Sequence, residues 1–185
     1  VNYVSDMLYD AAGRVELRKL GGTAGSPTLQ TDFTYFSWTT ANGWGRLKRI
    51  TGGTPATPDL LQDLRYYSST DTSKYDANGN LLNIYDYKAG GTQTQTFTYD
   101  TLDRLLSAAA SGGTGGTYAT ESYTYNGTTG NLASKGGVSY TYGAQSASCP
   151  DGALSKPHGV VTAGSNTYCY DKNGNQVKRT IGGSA

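Results

Sequence analysis

The chain has little charge and very little methionine, phenylalanine or histidine. Asp, Glu, Lys and Arg together make up 16% of its 185 residues, below the roughly 25% of an average soluble domain. Its 15 basic residues nearly balance 14 acidic ones, for a formal charge of +1. Such a balance leaves no electrostatic footprint for nucleic acid or an anionic membrane, so neither is an expected partner. No stretch approaches the roughly 18 consecutive apolar residues of a membrane-spanning helix, and membrane insertion is not expected. Val1 to Asp6 lack a basic segment leading into an apolar one, so no signal peptide is read there. Without an initiator methionine, the chain reads as a processed product or an excerpt of something longer.

The scarcity of catalytic residue types excludes more. His158 is the single histidine, so a Cys/His metal centre cannot be completed. There is no Gly-x-Ser-x-Gly and no His-Glu-x-x-His. Asp100 and Asp103 fall in one short turn, where two carboxylates cannot flank a glycosidic bond. Asp76 to Asn80 and Asp171 to Asn175 look superficially like calcium loops, but glycine is fourth and no closing glutamate follows. The chain is therefore expected to be non-catalytic, with no cofactor and no metal.

Two cysteines are present, Cys149 and Cys169. In a chain rich in Thr, Gly and Tyr they read best as one disulfide formed in an oxidising compartment, the alternative being two unpaired thiols. Closing a loop of about 20 residues would stabilise by roughly 3 kcal/mol in the chain-entropy picture. Asn126-Gly127-Thr128 is a formal N-glycosylation sequence on a turn.

What is plentiful is glycine (26) and tyrosine (16). They recur in one phrase: Tyr-Asp, two or three residues, Gly or Asp, Arg or Asn, then an apolar residue. It reads Tyr9-Asp10-Ala11-Ala12-Gly13-Arg14-Val15, then Tyr75-Asp76-Ala77-Asn78-Gly79-Asn80-Leu81, then Tyr99-Asp100-Thr101-Leu102-Asp103-Arg104-Leu105. A looser copy runs from Tyr125 to Leu132, a degenerate one covers Trp38 to Leu47, and the last is Tyr170-Asp171-Lys172-Asn173-Gly174-Asn175-Gln176-Val177.

Each phrase has a mechanical reading. Tyr and Thr alternate before it, as in Thr96-Phe97-Thr98-Tyr99 and Ser122-Tyr123-Thr124-Tyr125, which is the period of a strand. The carboxylates of Asp10, Asp76, Asp100 and Asp171 can bond backbone N–H groups two residues on and start a turn. Gly13, Gly79, Asp103 and Gly174 stand where a positive φ closes it, and the return strand follows. Each repeat is thus expected to be an antiparallel β-hairpin. A lone hairpin is marginal in water, so neighbours must pair edge to edge. Pro58 to Tyr67 suits a short helix or a strand, and the strand is preferred because the next repeat needs an incoming one.

The phrases resemble the YD repeats of the RHS/YD-repeat family. Supporting phrases are Leu61-Gln62-Asp63-Leu64-Arg65-Tyr66, Lys156-Pro157-His158-Gly159-Val160-Val161-Thr162 and Tyr168-Cys169-Tyr170-Asp171. The resemblance implies an all-β fold in which tandem hairpins form a curled or spiralling sheet, a partial shell. Bacterial RHS and Tc-type members enclose a toxin in such a shell, and teneurin-like animal members use it in cell adhesion. Residues 1–185 are expected to form a single domain of about seven hairpins, extracellular, whose partners are copies of itself or the rest of a larger repeat protein. Carbohydrate is a further candidate partner, with Tyr99, Tyr125, Tyr142 and Tyr170 as the candidate stacking residues.

Overall fold

The computed structural model describes residues 3–88 and 91–182, and every regular element among them is a β-strand. The chain divides into two compact units, residues 1–120 and 121–185. In the first, β1 (Val4–Tyr9), β2 (Val15–Leu20), β3 (Leu29–Tyr35), β4 (Leu47–Thr54), β5 (Thr57–Arg65), β6 (Asn83–Asp86), β7 (Gln93–Tyr99) and β8 (Leu105–Gly112) pair antiparallel in chain order. The division falls within β9 (Tyr118–Tyr125). The second unit continues with β10 (Leu132–Lys135), β11 (Val138–Thr141), β14 (Thr162–Ala163), β15 (Asn166–Tyr170) and β16 (Gln176–Thr180), again antiparallel neighbours. There β12 (Gly143–Ala144) and β13 (Ser155–Lys156) form a separate two-stranded piece. The sheets are open and not closed into a barrel. The all-β, antiparallel hairpin architecture expected from the alternating Tyr/Thr runs is the one observed. The ambiguous stretch from Pro58 lies in β5, a strand.

One hairpin is reduced. Tyr75 and Leu81 pair only as an isolated bridge, because β5 ends at Arg65 and residues 66–74 make an additional turn. In that turn the Ser68 and Asp71 N–H groups bond the Thr72 and Ser68 carbonyls. The strand expected to lead into the Tyr75 phrase is therefore displaced by an inserted loop.

A single sheet layer has little to bury against, and the interior is correspondingly sparse. In the first unit the buried apolar residues are Phe36, Tyr66, Ala108 and Ala110. Phe36 meets the half-buried Tyr75 edge-on, with centroids 6.4 Å apart, and Tyr66 stacks on Tyr75 at 6.3 Å. Such pairs add about 0.5–1.5 kcal/mol beyond burial itself. Burial pushes the Tyr75 phenol up to about 12, so it stays protonated and able to donate. In the second unit Cys149, Val161, Ala163 and Cys169 are buried.

The most buried charged residue is Asp63 on β5, only 2% exposed. Its carboxylate accepts two hydrogen bonds from Arg49 on β4, at 2.7 and 2.9 Å, and two from Arg65, at 3.1 and 2.6 Å. Arg65 in turn lies 3.8 Å from the Tyr87 ring centroid. Burial alone would raise the Asp63 carboxyl, but the bonds and charges of Arg49 and Arg65 outweigh it and hold it at about 2. A folded-state value below the unfolded one stabilises the fold above the unfolded pKa of about 3.9, and that stabilisation disappears as pH falls toward 2.

Replacing Asp63 by Ala removes the buried carboxylate that two guanidinium groups share, leaving only Asp59, 3.6 Å from Arg49, as a counter-charge. The expected cost is about 3–5 kcal/mol, read by urea unfolding at pH 7. The same variant should lose less stability than the parent between pH 5 and pH 2. An equal acid slope in both proteins would remove Asp63 from the account.

Candidate functional site: the tyrosine-aspartate turns

The repeated phrase folds the same way wherever it is intact. In the turn after β1, Asp10 N–H donates to the Arg14 carbonyl and Gly13 N–H to the Asp10 carbonyl, both at 2.9 Å. The Asp10 carboxylate accepts from the Ala12 and Arg14 N–H groups at 2.9 Å and from Arg14 Nε at 2.7 Å. The Asp76 turn is built likewise, with Gly79 and Asn80 N–H at 2.8 Å and the Asn80 amide at 2.9 Å. Asp100 holds Leu102 N–H, Arg104 N–H and Arg104 Nε. Asp171 holds Asn175 through its N–H and its side-chain amide. The side-chain bond from Arg14, Asn80, Arg104 or Asn175 is the chief reason each of these carboxyls lies below the usual range. These aspartates are saturated by their own turn.

The fourth residue after the tyrosine takes a positive φ in each: +76° at Gly13, +102° at Gly79, +60° at Asp103 and +91° at Gly174. Asp103 is tolerated there because a short polar side chain adopts the left-handed region more easily than most. Its carboxylate also links two repeats, accepting from Asn78 at 2.9 Å and Asn80 at 2.6 Å. The looser copy has one extra residue: Asn126 N–H bonds the Asn131 carbonyl, and Gly130 supplies the positive φ. The degenerate copy begins at Tyr35, ahead of the expected Trp38: Phe36 stands in the aspartate's place, and its N–H still bonds the Arg46 carbonyl.

A second bond type joins each turn to the one before it. The phenol of Tyr35 donates to the Val15 carbonyl at 2.8 Å, Tyr75 to Leu47 at 3.0 Å and Tyr99 to Leu81 at 2.9 Å. In the second unit Tyr142 donates to Leu132 at 2.9 Å and Tyr170 to Val160 at 2.8 Å. Val15, Leu47 and Leu132 each open a return strand, while Leu81 and Val160 stand two residues before one. Val15, Leu47 and Leu81 are the pairing partners of Tyr9, Tyr35 and Tyr75. Arginines reinforce the step: Arg14 lies 4.1 Å from the Tyr35 centroid, and Arg46 lies 5.7 Å from that of Tyr75. Of the candidate stacking residues, Tyr99, Tyr142 and Tyr170 are thus half-buried, with their hydroxyls committed to backbone. Tyr125 is half-buried at the end of β9, paired with Leu132.

The disulfide joins Cys149 to Cys169, fastening residues 143–156 to β15. Beside it the Gln145 side chain, 2% exposed, acts as a surrogate strand. It accepts from Tyr170 N–H at 2.8 Å and donates to the Tyr170 carbonyl at 3.0 Å. His158 is exposed and bonds Asn131 at 2.8 Å, a structural tie between two loops. Among the described residues no three His, Cys, Asp or Glu side chains gather as a metal site. The carbonyl latch, the Gln145 contact and the Asp63 cluster were all missed in the sequence. The latch alone had a visible trace, the recurring tyrosine; its distance to the acceptor varies from 10 to 28 residues.

Strands paired in chain order, aspartate-nucleated turns and tyrosine latches define an all-β repeat protein whose recurring polar residues serve the repeat itself. The RHS Repeat family model matches residues 75–117, the stretch holding the Asp76 and Asp100 turns with β6, β7 and β8. That match supports an RHS/YD-repeat assignment for this stretch of the chain. No curated protein matches it.

A Cβ added at Gly79 would lie 2.5 Å from Arg46 Nη2, whereas one at Gly13 would meet nothing within 4 Å. Gly13→Ala should therefore cost only the backbone strain, about 1 kcal/mol, and Gly79→Ala more. The difference should narrow when both are measured in an Arg46→Ala background by denaturant unfolding. Separately, reducing Cys149–Cys169 should lower the thermal midpoint, by an amount equivalent to about 3 kcal/mol for a 20-residue separation. Identical melting curves with and without reductant would count against a stabilising bridge.

Proposed function

We propose that this chain is a non-catalytic structural segment of an extracellular repeat protein, a β-scaffold that extends by adding hairpins at its sheet edges. The observation that carries this reading is the tyrosine latch. Tyr35, Tyr75, Tyr99, Tyr142 and Tyr170 each spend the phenol on the preceding repeat, so the polar groups that would read a ligand are consumed in joining repeats. This favours scaffold over glycan stacking. The disulfide fits an oxidising, extracellular setting. The single-domain expectation becomes, in this reading, one uninterrupted run of repeats.

Edge strands explain how such a scaffold grows. Among the described residues, β1 and β16 each have a strand partner on one side only. An unpaired strand edge is a template for another strand. Joining unlike edges in a way that does not close yields a filament. Both edges carry exposed apolar side chains, Val4, Met7 and Leu8 on β1 and Val177 on β16. Partners in this reading are copies of the chain or further repeats of a larger protein, and a toxin-enclosing or adhesive shell would be assembled from the same edges.

Negative-stain electron microscopy of the purified chain at neutral pH tests this. Filaments, tubes or strips longer than one chain are expected. Uniform small particles at every concentration would overturn self-assembly.

A further inference from the structure

We infer that two copies of this chain join β16 to β1 in one defined register, with Tyr9 of one copy latched onto the Gln176 carbonyl of the other. The inference rests on the scaffold reading above and adds its chemistry. It comes from the ladder's two ends. Tyr9 is the first phrase tyrosine of the described residues. Its phenol contacts only the Met7 sulfur, at 3.9 Å, a weak acceptor, and it is 57% exposed where the latched tyrosines are half-buried. At the other end Gln176 is the pairing partner of Tyr170. It therefore occupies the position that Val15, Leu47 and Leu81 occupy relative to Tyr9, Tyr35 and Tyr75. Among the described residues no tyrosine reaches its carbonyl.

The register follows from a rule that four of the five latched pairs obey; the exception is Tyr75 with Leu47, where the inserted turn leaves Arg49 facing Arg65. The residue two beyond the acceptor stands opposite the residue three before the tyrosine. Leu17 faces Asp32 where Tyr35 latches Val15, and Asn83 faces Thr96 where Tyr99 latches Leu81. Ser134 faces Ser139 where Tyr142 latches Leu132, and Thr162 faces Thr167 where Tyr170 latches Val160. Applied to Tyr9 and Gln176, the rule puts Lys178 opposite Asp6 of the second copy. Val177 then faces Met7, and Thr180 faces Val4.

The side chains brought together are complementary. Lys178 meets the Asp6 carboxylate, already 3.3 Å from Lys19 on its other side, and opposite charges directly across a strand pair stabilise it. Val177 and Met7, 47% and 36% exposed in the free chain, cover one another on the opposite face. A slip of one residue would set Lys178 against Met7 and turn the apolar pair apart, so the alternation itself selects the register. β1 enters antiparallel to β16, as β15 already is.

The test mixes two variants of the full chain, one carrying Asp6→Cys and the other Lys178→Cys, under mild oxidation with Cys149–Cys169 intact. Directly opposed residues across a strand pair lie within disulfide reach. The mixture should give a cross-linked dimer on a non-reducing gel, with the two introduced thiols joined in its peptide map. Met7→Cys mixed with Lys178→Cys, whose side chains would lie on opposite faces, should give far less. Tyr9→Phe, at an exposed position, should fold normally and weaken self-association about 2- to 10-fold in sedimentation. Assemblies that form in the parent without the Asp6/Lys178 cross-link would overturn the register and leave the scaffold reading standing. A chain that stays monomeric into the millimolar range would overturn both.

Discussion

The bond from a tyrosine phenol to a backbone carbonyl one repeat earlier is the interaction on which the rest of this protein depends. A hairpin by itself is marginal, and a single sheet layer offers no opposing layer against which to bury its faces. The phenol joins one turn to the next at a point where the chain has just reversed. Tyr75 shows how it is maintained: burial raises its phenol to about 12, so the donor keeps its proton. The carbonyls of Val15, Leu47 and Leu81 are held by their own strand pairings, so the acceptor is equally well positioned.

Around that bond the remaining polar groups divide the work. The aspartate after each tyrosine satisfies the N–H groups its own turn exposes, and the arginine or asparagine four residues on satisfies the aspartate. Arg14 then uses its guanidinium a second time, over the Tyr35 ring. Where a turn departs from the phrase, another group takes over. Asp103 stands in for glycine and is held by Asn78 and Asn80. In the second unit the short β12–β13 piece is fastened by a disulfide and by Gln145 acting as backbone.

Such an arrangement has functional consequences. Repeats joined only to their neighbours add without limit unless an edge is blocked, and low charge does little to block one. The exposed apolar side chains on β1 and β16 and the exposed Tyr9 belong to the same pattern as the joined interior steps. In the proposed reading, those edges would extend the scaffold by the same interaction that joins its repeats.

Much of this was legible in the residues. Alternating Tyr and Thr dictated strands because a period of two suits a pleated chain. Asp76 and Gly79 dictated a turn because a short carboxylate caps N–H groups and glycine accepts positive φ. The Cys149 and Cys169 pair was legible from composition. What only the tertiary structure decided were contacts between residues far apart in sequence. Arg49 reaching Asp63, across 14 residues, depends on how β4 pairs with β5. Tyr75 reaching Leu47, across 28 residues, depends on an inserted turn that interrupts the hairpin the phrase alone implies. Local chemistry sets the shape of each repeat, and the joining of repeats is set by long-range pairing.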